Sequence, residues 1–323
     1  MHSRTPNVTC NETSRSRKVA RYSAVAVIAL VAGCSGVRSG APSEAPQSKP
    51  VCVVLSVGGV DGLAHIGVLQ ELKRRGSAPQ CVFGNSMGAL TGGLYAAAPD
   101  QELAGHYRSV MSAYVEKTKQ DAQEAAGLGA VLLLGITIAS GGTMGEALLL
   151  SSAGGGLGAA SIPEVDRKRL VGVLARDFED RTISELPVEF ATWHDELRSG
   201  PVKVTVRSGS LAEAIGDSIA NPLVFPDVSV QRGAHLDPGA DRVSATPLED
   251  ACRLRPDAHF LVSNVTGKPL YFSSAMKCSY QEIRIPLPKI NPRNAFLGIG
   301  ADFDRMVAAG AWATARALDA PRD

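Results

Sequence analysis

Apolar and polar positions fall in blocks along this chain, and the blocks predict a repeating strand–turn–helix order. Val51-Cys52-Val53-Val54-Leu55 is a continuous, largely β-branched apolar run, the mark of a strand covered on both faces in a parallel sheet. It gives way to Ser56-Val57-Gly58-Gly59-Val60-Asp61-Gly62. Apolar positions at Ile66, Leu69 and Leu72 then recur at helical spacing and end in Lys73, Arg74 and a Gly76 stop. Cys81-Val82-Phe83 reads as a second buried strand and Ala89 to Ala98 as a second helix. Two consecutive βα units follow from this order.

Downstream, Asp100 to Ala126 mixes charge with spaced apolar positions and predicts a surface helix. Gly127 to Ala160 is an apolar block broken by glycines, too interrupted for a transmembrane span. It predicts buried helix hairpins, part of which line an acyl site; an apolar cap over that site is the alternative. Arg169 to Phe178 predicts a helix, Pro187 to Thr192 a strand, Val202 to Val206 a short alternating strand, and Leu211 to Ile215 the start of a helix. Phe260-Leu261-Val262 and Glu282 to Ile285 read as further strands. Phe303, Met306, Val307, Ala311, Ala315 and Leu318 line one face of a closing helix.

The first fifty residues follow no such pattern. Arg15, Arg17, Lys18 and Arg21 precede an apolar run from Ala24 to Ala32, the layout of a secretory leader rather than of a span. Leu30-Val31-Ala32-Gly33-Cys34-Ser35 resembles the lipobox of bacterial lipoprotein signal peptides. The resemblance implies a signal peptide over residues 1–33 and lipidation of Cys34, with the chain held at the outer membrane facing the periplasm. Met1 to Ser14 is long for such a leader, as expected of a misassigned start codon. Residues 34–50, rich in Ser, Gly, Pro and Ala, predict a flexible tether to a domain over residues 51–320.

Composition narrows the chemistry. With 323 residues, 45% of them apolar, the chain can bury a large core. A net charge of +1 and 5% aromatics exclude a basic nucleic-acid surface. No C-x-x-C, H-x-x-x-H or H-E-x-x-H spacing occurs, so no metal and no other cofactor is expected. In an oxidising compartment Cys52, Cys81, Cys252 and Cys278 are free to form disulfides. Cys52–Cys81 and Cys252–Cys278 are the natural pairs among three connectivities. Nothing in the pattern sets an oligomeric state.

The candidate chemistry centres on Gly84-Asn85-Ser86-Met87-Gly88, a G-x-S-x-G between a predicted strand and helix. Such a turn presents its serine at a strained apex beside free backbone N–H groups, and small residues at Gly84 and Gly88 let the chain turn sharply. The earlier turn lacks the G-x-G-x-x-G of a dinucleotide site and the Lys-Ser or Lys-Thr of a phosphate loop. Adjacent glycines there suit an oxyanion hole, and consecutive βα turns open on the same sheet edge.

These residues resemble the patatin-like phospholipase family. Ser56, Gly58, Gly59, Gly62, His65, Gly67, Val68 and Leu69 match its glycine-rich element, and Gly84, Ser86, Met87 and Gly88 its serine turn. Ser218-Ile219-Ala220-Asn221-Pro222-Leu223-Val224-Phe225-Pro226 matches a third element, and Asp237-Pro238-Gly239-Ala240 falls at the family's Asp-Gly-Gly or Asp-Gly-Ala. The resemblance implies a three-layer α/β/α sandwich with a mainly parallel central sheet and hydrolysis of lipid acyl esters. Ser86 is then the nucleophile, Asp237 its base, and Gly58 and Gly59 the oxyanion donors; Gly62, Gly84, Gly88 and Gly239 complete the motifs.

Three positions depart from the pattern: Val57 for a glycine, Asp61 for an arginine and Pro238 for a glycine. They leave open a catalytically impaired lipid- or protein-binding fold. A second alternative is a Ser86–Asp237–His259 triad, which has the α/β-hydrolase order. His65 is expected to be a packed structural residue, and Asp227 and Asp241 are weaker candidates for the base.

Overall fold

A computed structural model of the chain describes residues 49–126, 166–240, 245–271, 273 and 276–320. The leader, Cys34, most of the tether, the block 127–160 and Asp241 lie outside the described residues. The strands are β1 (Val51–Leu55), β2 (Cys81–Gly84), β3 (Glu189–Leu197), β4 (Pro201–Val206), β5 (His235–Leu236), β6 (His259–Asn264) and β7 (Ser279–Arg284). They form one sheet in the order β4-β3-β2-β1-β6-β7, with β5 also on β3. Pairing is parallel from β3 to β7 and antiparallel where β4 and β5 meet β3.

The helices are α1 (Ala64–Arg74), α2 (Met87–Ala97), α3 (Leu103–Ala126), α4 (Arg167–Asp177), α5 (Leu211–Ser218), α6 (Leu248–Leu254), α7 (Pro292–Phe296) and α8 (Gly300–Asp319). Each buried strand feeds two cores through the pleat. Val53, Leu55, Val82 and Phe190 face the larger one, shared with α1, α2, α3, α4, α5 and α8. Cys52, Val54, Cys81, Phe83, Trp193 and Phe260 face a thinner one, closed by Leu248 and Ala251 of α6. This is the expected three-layer arrangement, with most helical mass on one side. Continuous apolar strands are the consequence of covering both faces.

Cys52 and Cys81 are direct partners across β1 and β2, with Cα atoms 4.6 Å apart, and are bridged. Cys252 of α6 is bridged to Cys278 just before β7, at a Cα separation of 5.9 Å. Helix α1 ends as its pattern predicts: Gly76 takes φ 71°, and the N–H groups of Gly76 and Ser77 return to the carbonyls of Lys73 and Leu72. The closing helix differs from expectation. Its contact face is Gly310, Ala313 and Thr314 rather than Ala311 and Ala315. A Cβ on Gly310 would strike the Ala64 carbonyl oxygen, and one on Gly67 the Val307 carbonyl oxygen. The two backbones therefore touch at these glycines and set the rotation of α8. Among the described residues no helix is long and apolar enough to cross a membrane.

Candidate active site

Strand β2 ends at Gly84, and Asn85 and Ser86 turn the chain into α2. Ser86 holds φ 53° and ψ −123°, a conformation that L-residues keep only when their surroundings enforce it. Those surroundings are specific. The Ser86 N–H donates to Ser218 Oγ at 3.0 Å, and Thr192 Oγ1 donates to the same oxygen at 2.8 Å. Asn85 Oδ1 accepts the Trp193 N–H at 3.2 Å. The turn is thereby tied to the C-terminal residue of α5 and to β3. No side chain fits at Gly88, where a Cβ would lie 2.6 Å from the Leu55 carbonyl oxygen.

The earlier turn lies against this one. After β1, residues Gly59–Leu63 form a short 3-10 turn, with Gly59 at φ 52°. A Cβ on Gly62 would sit 2.6 Å from Met87 Cβ, so the two turns are in contact at that point. Among the described residues, no acceptor takes the N–H of Gly58 or Gly59. Gly58 is buried and Gly59 half-buried. His65 has a different task. It is fully buried, with Nε2 2.9 Å from the Ser56 carbonyl oxygen and Nδ1 2.7 Å from Ser263 Oγ. The carbonyl fixes the Nε2–H tautomer, and burial pushes the ring down to about 4, so it stays neutral. It staples β1 to β6, the structural role expected.

Asp237 follows β5 directly. Its N–H donates to the Ala220 carbonyl at 2.9 Å, and its Oδ1 accepts the Gly239 N–H at 2.8 Å. The residue keeps some solvent exposure while its carboxyl group is enclosed. Burial pushes that carboxyl up to about 6, and hydrogen bonds from the Ser86 side chain and the Gly239 N–H pull it partway back. Pro238 opens a single 3-10 turn, Pro238–Ala240, a position where an N–H has no partner within the turn. The carboxylate takes a hydrogen bond from the Gly239 N–H, one residue beyond the proline.

Asp61 is half-buried, and burial pushes its carboxyl up to about 6 as well. Among the described residues no cation pairs with it. Asp227 is exposed and accepts the Arg167 N–H at 3.1 Å, at the start of α4 and not at this site. His259 is the clear correction. It pairs with Val51 at the entry of the parallel sheet, whereas Ser86 leaves beyond the Leu55–Gly84 pair at its exit. Four residues of strand, about 13 Å at ~3.3 Å each, separate those edges, and His259 Nδ1 bonds Ser279 Oγ at 2.7 Å. The structure does not bring a Ser86–Asp237–His259 triad together.

Two features escaped the sequence reading. Ser218 was legible as a motif residue but not as the acceptor that holds the Ser86 N–H. His194, Asp217 and His235 offer ligand atoms that all lie within 4.8 Å of one another, although no linear spacing announces them.

A family model described as patatin-like phospholipase matches residues 53–251. Over 82 residues the chain is 37% identical to an uncharacterised NTE family protein of Mycobacterium bovis, covering 25% of this chain and 23% of that protein. Over 50 residues it is 48% identical to the lysophospholipase NTE1 of Candida glabrata, covering 16% of this chain and 3% of that one. The chain thus spans less than a quarter of the length of these curated relatives. The crystal structure of VipD from Legionella pneumophila aligns with TM-score 0.39 and 12% identity, over 85% of this chain and 67% of that one. The type III effector protein ExoU aligns with TM-score 0.37 and 16% identity, over 84% and 52%.

Proposed function

We propose that this chain, which belongs to the patatin-like phospholipase family, hydrolyses acyl esters of lipids with Ser86 as nucleophile and Asp237 as its base. The observation that carries the reading is that one short stretch holds both partners: Ser218 Oγ accepts the N–H of the strained Ser86 apex, and the Ala220 carbonyl accepts the N–H of Asp237, whose carboxyl group is enclosed. A serine hydroxyl is a poor nucleophile until a base takes its proton. Ionised Asp237 accepts that proton as Ser86 Oγ attacks the ester carbonyl. The N–H groups of Gly58 and Gly59 then receive the negative charge that develops on the carbonyl oxygen. Asp237 returns the proton to the leaving alcohol, and water releases the acyl group from Ser86 by the reverse sequence. No histidine takes part.

Phospholipids and lysophospholipids are the substrate class that the family supports. With Cys34 lipidated, the domain works at the outer-membrane surface facing the periplasm, within tether reach of its substrate. Fatty-acid release from phospholipid vesicles and labelling by a serine-reactive phosphonate test the reading together. Wild type should do both, Ser86→Ala neither, and Asp237→Asn should lose turnover while staying folded. A second reading, binding without turnover, is favoured by Asp61, whose charge beside the turn opposes an oxyanion. Folded wild-type protein that neither labels nor releases fatty acid would make that reading the better one.

A further inference from the structure

We propose that His194, Asp217 and His235 form a binding site for one divalent transition-metal cation of the zinc class, and that the ion braces the loop presenting Asp237. The three side chains come from β3, α5 and β5, and their ligand atoms lie within 4.8 Å of one another. Two imidazoles and a carboxylate are the donor set that borderline cations such as Zn²⁺ prefer over Mg²⁺ or Ca²⁺. Around a tetrahedral Zn²⁺ with bonds of about 2.0–2.1 Å, neighbouring donors sit roughly 3.4 Å apart. The three ligand atoms, within 4.8 Å of one another, draw in by up to about 1.4 Å to reach that spacing.

An independent observation points to a missing ligand. His194 is 5% exposed, and its Nδ1 is buried with no hydrogen-bond partner. Buried polar atoms are rarely left so. Its ring stacks on that of His235 with centroids 4.1 Å apart, which places the imidazole itself in the cluster. Asp217 is already oriented: Arg167 Nη1 lies 3.3 Å from Oδ1, while Oδ2 meets His235 Nδ1 at 2.8 Å. This is the outer-shell arrangement that fixes a ligating carboxylate. On binding, His235 shifts to its Nε2–H tautomer, and the lone pair on Nδ1 turns to the ion beside Asp217 Oδ2. His235 is 41% exposed, which gives the cation a way in from solvent.

The position gives the ion its consequence. His235 is two residues before Asp237, Asp217 is one residue before Ser218, and His194 is two residues after Thr192. An ion here would join the backbones that hold the carboxylate to those that hold the Ser86 N–H. The binding site stands on its own geometry; only its effect on turnover rests on the hydrolase reading.

The test uses the full chain, stripped with a chelator and titrated with Zn²⁺ alone against a chromophoric competitor. One Zn²⁺ per chain should bind saturably. His235→Ala and Asp217→Asn, each checked for an unchanged fold by circular dichroism, should weaken binding at least about tenfold. Co²⁺ in place of Zn²⁺ should give visible bands that disappear in His235→Ala. Amide hydrogen exchange over residues 235–239 should slow on adding Zn²⁺ to wild type only. No saturable uptake, or equal affinity in both variants, would overturn the site. Uptake with unchanged exchange would overturn the bracing role. None of these readouts depends on ester hydrolysis.

Discussion

Ser218→Ala removes a single oxygen, and the structure says what that oxygen does. Ser218 Oγ accepts the Ser86 N–H at 3.0 Å and the Thr192 hydroxyl at 2.8 Å. Ser218 and Thr192 are both fully buried, so the gap left by the hydroxyl is not simply refilled by bulk water. A buried donor without an acceptor costs about 1–3 kcal/mol. The Ser86 site keeps some exposure, and water there softens one of the two losses. The expected destabilisation is therefore about 2–4 kcal/mol, read from urea unfolding of wild type and variant. A second effect follows from φ 53° at Ser86. Without its acceptor the turn relaxes toward commoner backbone angles, and phosphonate labelling of Ser86 slows. Thr192→Val combined with Ser218→Ala should recover part of the stability loss, because one orphaned donor goes with it, but none of the labelling. A Ser218→Ala protein within about 0.5 kcal/mol of wild type and labelled at the wild-type rate would refute this account of the strained turn.

Asp237 must be ionised to take a proton, so kcat/KM should fall as pH drops through about 6. Asp61 ionises over the same range, and Asp61→Asn should raise the plateau at pH 8 several-fold by removing a charge that opposes the oxyanion; a lower plateau would count against that role. The Asp237 shift also has a stability sign. Its carboxyl is raised from an ordinary 3.8 to about 6, so the folded chain binds that proton more tightly, and wild type loses stability as pH climbs from about 4 to about 6. Asp237→Asn escapes the loss and should be more stable than wild type at pH 8, by up to about 3 kcal/mol, with no such gain below pH 4; urea midpoints at the two pH values check it. Cys52 and Cys81 are 29 residues apart in sequence, and replacing both with alanine should cost about 3–4 kcal/mol of loop-closure stabilisation. A reductant opens the Cys252–Cys278 bridge as well, so it should lower the urea midpoint of wild type further than the double substitution does.

The parts of this fold that were legible in the sequence are those fixed locally or by burial on two faces. β1 and β2 announce themselves because every residue must be apolar; their register, with Cys52 beside Cys81, comes from the structure, the sequence leaving three cysteine connectivities open. Gly58-Gly59 and the Ser86 turn are legible because turn chemistry sits within a few residues. β5 is not: it has two residues, and only its pairing with Asp195 and Glu196 makes it a strand. β3 runs five residues past its expected end, because Trp193 faces a core whereas Asp195 and Glu196 stay half-buried at its rim. The His194–Asp217–His235 group was hidden for the same reason, since its members come from three elements joined only by the fold.

Asp237 shows most clearly where local reading stops. Resemblance alone marked it, because what positions it is wholly nonlocal: the pairing of β5 with β3, and an N–H bonded to the Ala220 carbonyl. Ala220 lies two residues beyond Ser218, and Ser218 holds the Ser86 N–H from 132 residues away. One short stretch after α5 therefore secures the serine on one side and the carboxylate on the other. The Ser218–Pro226 stretch sits between the two residues of the proposed dyad and holds the backbone of each. For the proposed chemistry an intact Gly84–Gly88 turn would not be enough, since Ser218 and Ala220 must keep both partners in place at once.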